Sequence, residues 1–127
     1  MTPPLVAIFL PPIGKNNATP AKQVHNQTAS VSVCLLNASN VCTATTYGPF
    51  TAIDDGTKYQ AAWNTPKNLI IGGIYRITVT VNGTPLTASA IDIQPIAGGK
   101  AKNMTNGTTF SFQLGSNQPL KFSVETQ

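Results

Sequence analysis

Hydrophobic residues in this 127-residue chain recur at every second position over short stretches, and turn-forming residues separate the stretches. Residues 74–81 give the cleanest case: Tyr75, Ile77, Val79 and Val81 alternate with Ile74, Arg76, Thr78 and Thr80. One apolar face and one mostly polar face predict a half-buried β-strand. Asn82-Gly83 follows at once and suits the two positive φ angles of a type I′ turn, so a hairpin is expected, with a return strand over 86–93. There Leu86, Ala88 and Ala90 share one face and Ile91 and Ile93 lie near the other, a phase change expected of a bulge or register shift.

Similar runs flank this hairpin. Residues 30–36 (SVSVCLL) set Val31, Val33 and Leu35 against Ser32, Cys34 and Leu36, and after a turn cluster at 37–40 the stretch 41–47 (VCTATTY) is Thr-rich strand material. Tyr59, Ala61 and Trp63 share a face of another strand, and the connection 67–73 carries Leu69, Ile70 and Ile71, expected to cover the end of the core. Residues 95–107 read as a polar connection, before final strands at 108–114 and 120–124. No segment has a helical period and no internal repeat is present. Such a pattern predicts an all-β domain of two face-to-face sheets, with a small closed barrel as the main alternative. Trp63 on a middle strand and the Tyr-bearing strand after it resemble an immunoglobulin-type core. The expected fold is an immunoglobulin-like antiparallel β-sandwich with an N-terminal extension or extra strand.

That extension is the hexamer Leu5, Val6, Ala7, Ile8, Phe9 and Leu10, bracketed by Pro3-Pro4 and Pro11-Pro12 and followed by a polar stretch. Residues 1–29 are therefore assigned as an N-terminal strand and linker, and 30–127 as the sandwich domain. The hexamer is either the domain's first strand or a donor strand that completes a neighbouring copy's sheet. Six apolar residues with no basic residue before them are too few for a signal peptide's apolar region or a membrane span.

Charged residues make up only 9% of the chain, against ~25% in ordinary soluble domains. With 41% hydrophobic residues in ordered runs, that composition suits an extracellular or cell-surface domain rather than a disordered one. The net charge of +4 comes from scattered lysines and a single arginine, which argues against a nucleic-acid partner.

The chemical inventory is sparse. Cys34 and Cys42, the only cysteines, face each other if the strands pair about the intervening turn. A disulfide there would contribute about 2.5 kcal/mol on the chain-entropy model, and free thiols or a metal site are the alternatives. A Ser-His-Asp arrangement would need His25, which sits in the polar linker, and the carboxylates are only Asp54, Asp55, Asp92 and Glu125. Asp54-Asp55-Gly56 reads as a turn rather than a Ca²⁺ loop. No catalytic, cofactor or metal site is expected. Asn-X-Ser/Thr acceptors stand at Asn17, Asn26, Asn37, Asn82, Asn103 and Asn106, six where composition predicts ~2, and all are candidate N-glycosylation sites.

Three motifs carry a family resemblance. They are YQ-x-x-W-x-T (Tyr59, Gln60, Trp63, Thr65), YRI-x-V-x-V (Tyr75, Arg76, Ile77, Val79, Val81) and P-L-K-F-x-V-E (Pro119, Leu120, Lys121, Phe122, Val124, Glu125). Together with the spaced cysteines they resemble a family of uncharacterised, secreted bacterial immunoglobulin-like domains. The resemblance implies a surface or secreted β-sandwich with no catalytic residues. The expected function is a non-enzymatic structural or adhesive module, with copies of itself, other surface proteins or glycans as partners. One form of it is a filament subunit assembled by exchange of the N-terminal strand. The alternative is a carbohydrate-binding module stacking sugars on exposed Tyr47, Phe50 or Tyr59.

Overall fold

Alternation along each long strand becomes alternation of burial in the computed structural model, which describes residues 4–127. The strands are β1 (Leu5–Phe9), β2 (Ala29–Leu36), β3 (Cys42–Thr51), β4 (Ile53–Asp54), β5 (Tyr59–Asn64) and β6 (Tyr75–Val81), then β7 (Thr84–Pro85), β8 (Ile91–Ile96), β9 (Lys100–Asn103), β10 (Thr109–Ser111) and β11 (Asn117–Thr126). Four of them form one sheet in the order β1-β11-β5-β4; six form the spine of the other, β10-β9-β8-β6-β2-β3, with β7 beside β6. All pairs are antiparallel. The two sheets close over one core, a sandwich and not a closed barrel. Its seven-stranded sheet keeps β2 and β3 together, whereas the immunoglobulin pattern divides seven strands four and three.

The core is aromatic at its centre. Trp63 of β5 is fully buried with ring centroids 5.6 Å from Tyr47, 5.7 Å from Phe112 and 6.4 Å from Tyr75, which ties the sheets together. Tyr59 stacks on Phe122 at 5.4 Å, a contact of ~0.5–1.5 kcal/mol beyond the area it buries. The Asn82-Gly83 hairpin forms as the sequence predicts, with φ of 51° and 83° and Val81 opposite Thr84. Its return leg differs. The phase change between Ala90 and Ile91 is made by a 3₁₀ turn at Thr87–Ser89, and β8 begins only after it. The stretch read as a polar connection contains the end of β8 and all of β9, whose Ala101 and Asn103 alternate inward. In the 67–73 connection Leu69 is buried, but Ile70 and Ile71 are 54% and 53% exposed, because the turn ending at Gly73 points them outward.

The N-terminal residues pack with the rest. β1 pairs with β11 of its own chain, from Leu5 opposite Thr126 to Phe9 opposite Phe122, and Ala7 and Phe9 enter the core. The chain then folds back so tightly that a Cβ on Gly14 would collide with the Phe9 carbonyl, which reserves that position for glycine. The stretch read as linker is anchored at several points: Ile13 has no exposure, and Val24 N–H donates to the Val124 carbonyl at 2.8 Å. In this single chain the hexamer therefore pairs in cis.

Candidate functional site

Each carboxylate of the sequence is engaged as a structural brace. Asp54 accepts hydrogen bonds from His25 Nδ1 at 2.9 Å, Asn26 N–H at 2.8 Å and Gly56 N–H at 2.9 Å, tying the N-terminal stretch to the 54–58 turn. Burial pushes its pKa up, but these donors outweigh burial and hold it below the usual carboxylate range. Asp55 accepts from the Lys58 ammonium at 2.8 Å and from Thr57, which keeps it ionised far into acid. Asp92 takes a bidentate pair from Arg76, Nε at 2.8 Å and Nη2 at 3.0 Å, and this partner keeps the guanidinium more firmly protonated. Glu125 is 3% exposed and accepts from Thr19 N–H at 2.8 Å and Ser123 Oγ at 2.6 Å; burial raises its pKa, but those bonds and nearby Lys22 bring it down. The turn reading of residues 54–56 fits these bonds. The sequence reading named neither the His25–Asp54 nor the Arg76–Asp92 pair; the first joins a loop to β4 and the second two neighbouring strands.

Cys34 and Cys42 form a disulfide with Cα atoms 5.5 Å apart. The strand register is not the expected one: Leu36 lies opposite Cys42 and Cys34 opposite Thr46, because irregularities interrupt the β2–β3 ladder. The staple closes a hairpin whose tip is held by Asn37 Oδ1, which accepts from Ser39 and Val41 N–H groups. A disulfide persists in an oxidising compartment, which suits a secreted or extracellular setting.

The acceptor asparagines divide into two groups. Asn17, Asn26, Asn37, Asn82 and Asn106 are exposed in turns or loops. Asn103 is 1% exposed; its Nδ2 donates to the Ile13 carbonyl at 2.7 Å and its Oδ1 accepts from Thr105 and Asn106 N–H groups. The folded chain has no room for a glycan there. None of the aromatics is exposed: Tyr59 is buried, and Tyr47 and Phe50 are half-buried against the core. The expected stacking platform is therefore absent, because the rings face inward to fill the space between the sheets.

The outer face of the seven-stranded sheet is hollowed around Arg76 and Thr78. Ser32 pairs with Thr78, and in the next row Cys34, Arg76 and Asp92 lie side by side across β2, β6 and β8. Two adjoining hollows of about 310 and 430 Å³ share Cys42, Arg76 and Thr78. Their walls are the Thr46–Pro49 part of β3 and the turn that includes Thr87 and Ala90.

Among the described residues no group of three His, Cys, Asp or Glu side chains is placed to hold a metal ion, and no helix is long and apolar enough to cross a membrane. No family model, curated protein or solved structure matches the chain.

Proposed function

We propose that this chain is a non-enzymatic β-sandwich module of an extracellular or cell-surface protein, with a structural or adhesive task. One observation carries the reading. The four side-chain carboxylates and the single histidine, the groups that general acid–base chemistry most often uses, are engaged in contacts that hold loops and strands together. The disulfide supports an oxidising setting, and the motifs resembling secreted bacterial immunoglobulin-like domains point the same way. Partners are copies of the chain, other surface proteins or glycans. A filament assembled by exchange of the N-terminal strand is one form of this task; in the single chain β1 pairs with β11.

Two measurements on the native source test the reading. An antibody against the purified chain should label intact cells or recover antigen from the medium, and labelled chain should be retained on cell envelopes. Antigen found only after lysis, or no retention and no co-purifying surface protein, would overturn it. A turnover activity lost on Asp54→Asn would overturn the non-enzymatic part.

A further inference from the structure

We propose that the trough on the outer face of the seven-stranded sheet binds a neutral saccharide through vicinal hydroxyl groups. Its biological use rests on the adhesive reading above; the binding itself does not. At the centre of the trough is the Arg76–Asp92 pair, whose side chains are 34% and 28% exposed and so remain reachable. A guanidinium carries five N–H donors. Nε and one N–H of Nη2 go to Asp92, and one N–H of Nη1 goes to the Asn40 carbonyl at 3.4 Å, which leaves two free, by subtraction 5 − 3. The carboxylate has about four lone-pair sites and spends two on Arg76.

The pair therefore offers fixed donors and acceptors side by side, held in place by each other. A vicinal diol is the complement, because each of its hydroxyls both donates and accepts. The half-buried Ser32 and Thr78, one row away, add hydroxyls of the same dual character. Charge selects among ligands. Arg76 is neutralised by Asp92, so an anion gains little here, while the lysines Lys100 and Lys102 stand exposed on β9 for any polyanion. The hollows fall in the size range of small-ligand sites, and Tyr47, on the wall of one, is half-buried against the core, so hydrogen bonds rather than stacking carry the binding and affinity should be weak.

The test is a titration of the ¹⁵N-labelled chain with cellohexaose, maltohexaose and α-mannan, with heparin as the anionic control. Saturable shifts centred on Ser32, Arg76, Thr78 and Asp92 with at least one neutral glycan are expected. Affinity should fall at least about tenfold in Thr78→Tyr, which fills the trough with a strand-favouring residue, and in Asp92→Asn, which removes an acceptor at constant size. Both variants must keep the wild-type spectrum elsewhere. No shift with the three neutral glycans, shifts confined to another face, or binding to heparin alone at Lys100 and Lys102 would overturn the site. If wild type and Thr78→Tyr are retained equally on cell envelopes, this site fails and the adhesive reading stands; if wild type is not retained, that reading fails.

Discussion

Asn103 offers a sharp test of how the N-terminal stretch is held. Its Nδ2 donates to the carbonyl of Ile13, a residue with no exposure, and its Oδ1 accepts two backbone N–H groups of the 103–108 turn. Asn103→Ala leaves the Ile13 carbonyl buried without this partner, a cost of about 1–3 kcal/mol. The N–H groups of Thr105 and Asn106 belong to exposed residues that water can reach, so they add less. A total near 3 kcal/mol, divided by an unfolding entropy of ~2.1 cal/mol/K per residue, lowers Tm by about 10 °C. Asn103→Asp separates hydrogen bonding from size. Ionised, the new carboxyl puts a second acceptor against the Ile13 carbonyl in a buried site; protonated, it can donate there as the amide does. Its destabilisation relative to wild type should therefore be greater at pH 7 than at pH 4. Urea unfolding followed by Trp63 fluorescence at both pH values measures this. If Asn103→Ala unfolds within about 0.5 kcal/mol of wild type, Asn103 does not hold the N-terminal stretch.

Three other outcomes follow from the same contacts. Reduction of the Cys34–Cys42 disulfide, which spans a sequence separation of 8, should lower stability by about 2.5 kcal/mol, and a urea midpoint unmoved by reductant would refute that. Asp54 and Glu125 have depressed folded pKa values, so their contribution is present above the ordinary carboxylate pKa and is lost as pH falls through the folded values. Tm should accordingly drop below about pH 4, and Asp54→Asn should flatten that drop; an unchanged acid limb would contradict the bracing role. Secreted from a glycosylating host, the folded chain should carry glycans only at the exposed acceptors, and peptide mass spectrometry finding occupied Asn103 in folded material would refute its burial.

The long strands were legible because alternation reports burial directly: Tyr59, Ala61 and Trp63, like Tyr75 to Val81, point inward at the expected positions. What alternation cannot report is register or the course of the loops. Cys34 sits two residues out of line from Cys42 because β3 holds extra residues between its ladder partners Cys42 and Thr46. Ile70 and Ile71 carry hydrophobic identity without a strand's periodicity, so their outward turn had no signal in the sequence. The Arg76–Asp92 pair was within reach, since both residues are polar members of strands already expected to be neighbours. The hairpin's 3₁₀ turn hid the offset that brings them opposite. His25–Asp54 joins a loop to β4 and had no local signal at all.

The last strand is flanked by the first residues on both edges: β1 lies along one, and Gln23 and Val24 pair with Glu125 and Val124 on the other. During synthesis those early segments emerge long before β11 exists to receive them. The four-stranded sheet, and the closing of the core that depends on it, must therefore wait until β11 has left the ribosome. Until then Phe9 and Ile13, both buried in the finished core, have no sheet to close over them and stay open to wrong partners.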